Sequence, residues 1–196
     1  AKDDLRDDPT QAIEFLTQAQ QKMIRVRGIL SDLRRFAQDG PTLILHRMPI
    51  ITLIEDVIAQ ERFQHPNIHN ITMVGPILED EVDVDLAIIH EVFESLVLDS
   101  IRHSGKPEDE LTITFSIRIA EETVPGASIL IEYHDNGRGI PLERKHEVFK
   151  PFVTTDPKGS GLGLTIVAKY IRKLGGELTE EGKPGSGVCF VIRLPI

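Results

Sequence analysis

The stretch Asp135-Asn136-Gly137-Arg138-Gly139-Ile140-Pro141, with the two that follow it, VFKPFVTT at 148–155 and KGSGLGLTIVAKYIRKLGGEL at 158–178, decides how this chain is read. The run before it, 128–134, is apolar and rich in β-formers, so Asp135-Asn136-Gly137 marks the exit of a strand into a sharp turn. A carboxylate held there can accept a hydrogen bond from an exocyclic amine, and Gly137 and Gly139 let backbone approach a flat ring with no Cβ in the way. Those properties suit adenine. The second glycine run, Gly159-Ser160-Gly161-Leu162-Gly163, opens an apolar-periodic segment (Leu164, Ile166, Val167, Tyr170, Ile171, Leu174) that stops at Gly175-Gly176. This predicts a helix with a glycine-rich start and a glycine stop. Bare N–H groups at such a start favour an anion, most simply the phosphates of the same nucleotide. The base then sits at one loop and the phosphates at the other.

Taken singly, each signal is ordinary turn or capping chemistry. In order and spacing the series resembles the GHKL ATP-binding fold, and within it the sensor histidine kinases: a DxGxGIP box, a PF-containing box ending in Thr154-Thr155, a GxGLGL box, and Gly175-Gly176 after the helix. The tail GSGVCFVIRLPI at 185–196 resembles that family's closing strand. The resemblance implies ATP and Mg²⁺ as cofactors. By position in the matched boxes it also puts Ile140, Gly159, Ser160, Leu162 and Gly163 beside the nucleotide. Phe149, Phe152 and Val153 wall the pocket or anchor a lid with its tip at 154–159, or pack in the core. Lys158 in that lid is a flexible cation able to swing onto phosphate oxygens.

With 196 residues, 40% hydrophobic and 27% charged, the chain suffices for one medium domain plus an appendage. No apolar run approaches the ~20 residues of a membrane span, and no signal-peptide pattern opens it. The start at Ala1-Lys2-Asp3 reads as a cut end of a longer chain. One cysteine, Cys189, excludes an internal disulfide; within an apolar strand it reads as a small core residue and fits a reducing, cytoplasmic compartment. The net charge of −9 argues against nucleic acid or an anionic membrane as the main partner, since both are bound through excess Lys and Arg.

From Pro9 to about Gln38 the chain reads as one long helix, with Asp8 as N-cap and Gly40 just past its end. Ala12, Leu16, Ala19, Met23, Val26, Leu30, Leu33 and Ala37 alternate spacings of four and three, the seam of a coiled coil or four-helix bundle. Gly28 weakens its middle by about 1 kcal/mol relative to alanine. The stretch RGILSDLRRFAQDG at 27–40 resembles the second helix of a histidine kinase dimerisation hairpin, which implies a homodimer through this helix in the intact protein. Packing of the helix on the following domain alone is the alternative.

In that family the phosphorylated histidine lies on the first hairpin helix. No histidine lies in the seam here: His46 follows the helix, and His65, His69, His90, His103, His134 and His146 fall inside the expected nucleotide domain. The chain is therefore expected to bind nucleotide without carrying its own acceptor. The intact protein would pass phosphate to a response regulator receiver domain.

The remaining pattern predicts strands at 42–46, 70–74, 81–84, 111–119, 128–134, 177–179 and 187–194, and helices at 49–63, 85–104 and 164–174. That order suggests an α+β fold: a two-layer α/β sandwich with helices on one face of a mixed, mainly antiparallel sheet, preceded by the long dimerisation-type helix. The resemblance implies a partial dimerisation helix at 1–40 and a catalytic ATP-binding domain at 41–196.

On the 85–104 helix the family usually carries an asparagine-rich box. Here the row is Ser95-Leu96-Val97-Leu98-Asp99-Ser100, then Arg102-His103, so Asp99 occupies the position where asparagine holds Mg²⁺. Aspartate is a good hard-oxygen ligand but adds negative charge near a triphosphate. Arg102 can offset this charge or meet a phosphate, and His103 either serves the phosphate side or caps the helix. An ordinary Asp–Arg surface pair is the plainer reading. Two other functions are in view. A GHKL ATPase would need a glutamate at Ser95, whereas Glu94 is turned about 100° around the helix. A degenerate kinase would bind nucleotide and signal without phosphoryl transfer.

Overall fold

The computed structural model describes residues 9–38, 42–76, 80–120, 128–157 and 159–196. Their order is α1 (Pro9–Ala37), β1 (His46–Pro49), α2 (Ile50–Gln64), β2 (Asn70–Val74), β3 (Glu81–Val84), α3 (Leu86–His103), β4 (Thr112–Ile119), β5 (Ser128–Asp135), α4 (Gly163–Lys173), β6 (Glu177–Glu180) and β7 (Cys189–Pro195). Asp8, Gly40, the 121–126 turn and Lys158 fall outside the described residues.

Five strands form one sheet in the order β2-β4-β5-β7-β6; β2 runs parallel to β4 and the other pairs are antiparallel. The helices α2, α3 and α4 cover one face, where Leu53, Phe93, Phe115, Tyr133, Ile171 and Phe190 belong to a single buried cluster. The pleat places Ile129, Ile131, Tyr133 and Asp135 of β5 on that face, because alternate residues of a strand share a side. The sandwich expected from the sequence is present.

The first strand differs from expectation. Residues 42–45 carry no regular secondary structure, and β1 begins at His46 and pairs with β3 in a separate two-stranded ladder. The cause is a competing bond: the Ile44 N–H donates to Asp85 Oδ2 at 2.8 Å. The other oxygen of Asp85 accepts from Ile88 N–H at 3.3 Å, capping α3. One carboxylate therefore anchors the incoming chain and starts the helix that carries Asp99.

Helix α1 touches the domain along its last turns. Arg35 pairs with Glu91 of α3 at 3.1 Å, and Lys169 of α4 donates to the carbonyl of Phe36 at 3.0 Å and to that of Gln38. The seam residues Leu16, Met23, Val26, Leu30 and Leu33 remain exposed, Met23 to 73%. Docking on the domain thus leaves the apolar seam uncovered in the single chain. None of the described helices is long and apolar enough to cross a membrane.

Cys189 packs on a small cluster of Ala120, Leu130 and Val191. Burial, with Glu132 and other carboxylates nearby, pushes its thiol up to about 11, which makes it a poor nucleophile.

Candidate functional site

Asp135 ends β5 and is 7% exposed. Its Oδ1 accepts from Gly137 N–H at 2.9 Å and from Val188 N–H at 3.0 Å, and its Oδ2 accepts from Ser100 Oγ at 2.6 Å. Three donors from three segments fix the carboxylate, leaving acceptor capacity for a further donor, because a carboxylate offers about four lone-pair sites.

The glycines around it are explained by protein packing. A Cβ on Gly137 would lie 2.6 Å from Ser104 Cα, and one on Gly139 would lie 2.7 Å from Gly187 O. On the Cβ side of these glycines the space is taken by the C-terminal end of α3 and the 183–187 loop. Gly137 still delivers its N–H to Asp135. Ile140 packs against the main core.

At the other glycine run, Gly161 has φ +67, and a Cβ there would lie 2.6 Å from Phe152 C; its carbonyl accepts from Phe152 N–H at 2.9 Å. Gly163, the first residue of α4, has nothing among the described residues within 4 Å of the position its Cβ would take. The helix has no side-chain cap, and the N–H groups of its first turn have no intrahelical partner. In the same turn Thr165 Oγ1 is buried without a hydrogen-bond partner among the described residues. This corner has the space and the donors that an anion requires.

Three residues of the two matched stretches make contacts within the protein. Leu162 is buried in the core at 1% exposure, so its side chain serves packing and only its backbone belongs to the loop. Ser160 Oγ donates to Asp32 Oδ2 of α1 at 2.7 Å. Phe152 stays out of the core: it is 64% exposed, has φ +66, and its ring meets Phe36 of α1 edge-on at 6.1 Å between centroids. Phe149 does pack inward, against Phe190 at 6.3 Å. Gly159 N–H donates to Asp156 O at 2.9 Å within the lid turn.

On α3, burial raises the Asp99 carboxyl above the usual aspartate range; His103 and Arg102 oppose the rise and Asp135 adds to it. His103 Nε2 lies 3.7 Å from Asp99 Oδ1, and its Nδ1 lies 3.2 Å from Thr155 Oγ1 of the lid. Arg102 is exposed in the last turn. Asp99, Arg102, His103 and Asp135 thus share one electrostatic neighbourhood. The sequence reading overlooked Ser100 and Thr155. Ser100 follows Asp99 on a predicted amphipathic helix, and a polar residue on the apolar face was the available signal.

Residues 84–196 match the family described as histidine kinase-, DNA gyrase B-, and HSP90-like ATPase, and the chain belongs to it. It is 28% identical over 191 residues to the alginate biosynthesis sensor protein KinB of Pseudomonas aeruginosa, covering 93% of this chain and 30% of KinB. Among solved structures, full-length ShkA in complex with AMPPNP superposes with a TM-score of 0.72 at 19% identity, over 95% of this chain and 39% of ShkA. The histidine kinase ThkA in complex with the response regulator protein TrrA superposes with a TM-score of 0.70 at 21% identity, over 96% of this chain and 52% of that one. The chain therefore spans about a third of KinB and no more than about half of either structural neighbour.

Proposed function

We propose that this chain is the ATP-binding catalytic portion of a two-component sensor histidine kinase. In the intact protein the γ-phosphate of ATP passes to a histidine on a first dimerisation helix, then to an aspartate of a response regulator receiver domain. The observation that carries this reading is Asp135, a buried carboxylate pinned by Ser100, Gly137 and Val188 in the electrostatic neighbourhood of Asp99. Asp135 accepts from the adenine amine, and Gly137 and Gly139 shape the turn that holds it. The backbone of 159–163 with the open start of α4 receives phosphates, and Arg102, His103 and Lys158 supply charge. The dimer forms through the exposed seam of α1, and ShkA's AMPPNP and ThkA's TrrA are in keeping with these partners.

Asp99 would hold Mg²⁺, which neutralises charge on the β- and γ-oxygens when bound. The residues fit the ion, since burial and Asp135 disfavour a bare carboxylate at Asp99 and a divalent cation would reverse that penalty. Hydrolysis in the manner of a chaperone or gyrase ATPase is not favoured: Ser95 occupies the position that a water-activating glutamate would need, and Glu94 is turned about 100° from it around α3.

The test is transfer of label from ATP to histidine. The present chain alone should show none, while a longer form carrying the acceptor helix should be labelled. Phosphohistidine on the present chain would overturn the assignment of the acceptor. Nucleotide binding without transfer in the longer form, rescued by Asp99→Asn, would make the protein a nucleotide-binding pseudokinase.

A further inference from the structure

Beyond the nucleotide contacts, the structure holds a buried ion pair with no part in the chemistry proposed so far. Lys145, just after the short 3-10 turn Leu142–Arg144, places its Nζ 2.6 Å from Glu180 Oε2 at the end of β6, where the Glu180 side chain is 1% exposed. The second oxygen, Oε1, accepts from Gly182 N–H at 2.9 Å and from Cys189 N–H at 3.2 Å. Lys145 Nζ also donates to the Gly182 carbonyl. One ion pair thus grips both ends of the loop between β6 and β7.

That loop is the back wall of the Asp135 turn. Gly185 N–H donates to Arg138 O at 2.7 Å, a Cβ on Gly187 would lie 1.8 Å from Asp135 O, and Val188 N–H donates to Asp135 Oδ1 at 3.0 Å. A shift of the loop by a fraction of an ångström must therefore move the Asp135 carboxylate or strip it of a donor. Burying two charges is costly, so the ion pair by itself is weak evidence of stability. What the charges add is direction: an acceptor and a donor aimed at defined backbone groups.

We propose that Lys145 and Glu180 are positioning residues for the nucleotide base, acting through the 182–188 loop on Asp135. The inference rests on Asp135 being the adenine acceptor. It extends the site to two residues that touch no nucleotide.

The test uses the chain with Lys145→Leu combined with Glu180→Val, which leaves no lone buried charge, and with Lys145→Arg as the conservative replacement. Affinities for ATP and GTP are measured by calorimetry, and folding by circular dichroism. The apolar pair should fold yet bind ATP about tenfold more weakly, with a smaller preference for ATP over GTP, as expected when an acceptor loses its alignment. Lys145→Arg should keep both near the parent values. A folded apolar variant with parental affinity and preference overturns the positioning role while leaving the nucleotide reading intact. A parent chain that binds no ATP removes that reading, and the inference with it. Should the apolar variant not fold, amide exchange in the nucleotide-free parent decides: Gly182 and Val188 must be as protected as the β7 interior, and loop-like exchange there overturns the proposal.

Discussion

Ser100 Oγ donates to Asp135 Oδ2 across 2.6 Å, joining helix α3 to the end of β5. The Tyr133 hydroxyl lies 2.9 Å from the same Oγ. A serine has one hydrogen to give, so Tyr133 must donate to Ser100 while Ser100 donates to Asp135. Burial first, then the nearby Asp135 and Asp99 carboxylates, keep the Tyr133 phenol well above its usual pKa, and it remains a donor throughout the physiological range. The chain of protons has one direction and ends on the proposed adenine acceptor.

Replacing Asp135 by asparagine removes the charge and turns one oxygen into a donor facing groups that are themselves donors. ATP affinity should fall by more than about tenfold with the fold retained. Calorimetry with parallel circular dichroism checks this, and equal ATP affinity in variant and parent would remove Asp135 from the adenine site.

Ser100→Ala leaves both Tyr133 and Asp135 short of a partner inside the protein. A stability loss of about 1–3 kcal/mol is expected, the usual cost of a buried polar group left unsatisfied. Urea unfolding with an unchanged midpoint would mean that the relay carries no stability.

Two glycines separate packing from binding. Gly187 has φ +90 and no space for a Cβ, so Gly187→Ala should lower stability by at least about 2 kcal/mol. Gly163 opens α4 with free space around it, so Gly163→Ala should leave the melting temperature within a few degrees yet weaken ATP binding, because the methyl group points where phosphates are proposed to lie. Thermal melts and titrations on the two variants test the contrast, and a destabilised Gly163→Ala with parental affinity would reverse it.

Much of this was legible in the amino-acid order. The strands at 70–74 and 81–84 were read at their observed bounds, and α3 and α4 within a residue or two, because periodicity and caps such as Asp85 act locally. What escaped was non-local. Nothing near Ile44 signals that its N–H will be taken by Asp85, which turned an expected strand into a cap. Nothing near Gly137 signals that Ser104 will fill the space on its Cβ side. Phe152 carries the pattern of a core aromatic, but a positive φ turns it toward Phe36, 116 positions earlier in the chain. Nothing in the sequence marks Lys145 and Glu180 as a pair; only the fold brings them to 2.6 Å.

Glu61 makes stability depend on pH. It is fully buried in α2, neither carboxylate oxygen has a hydrogen-bond partner among the described residues, and His65 Nε2 stands 3.7 Å away. Burial, with a smaller contribution from Glu94, raises its pKa to about 7. The folded state therefore binds a proton that the unfolded chain has released above about pH 4.5. This contribution to stability is complete below that pH, falls as pH rises towards 7, and is absent above. Glu61→Gln should flatten the pH 5–8 portion of the unfolding profile and raise stability at pH 8. An unchanged profile would show that Glu61 is charged in the folded protein.

The most direct measurement of the central claim is calorimetric titration of ATP and ADP into the chain, in Mg²⁺ and again in EDTA. The account predicts binding of both nucleotides in Mg²⁺ and a marked loss of ATP affinity in EDTA, because the Asp99 carboxylate then faces the phosphates as an uncompensated like charge. Asp99→Asn should recover metal-free affinity. Absence of ATP binding under both conditions would contradict the account at its root.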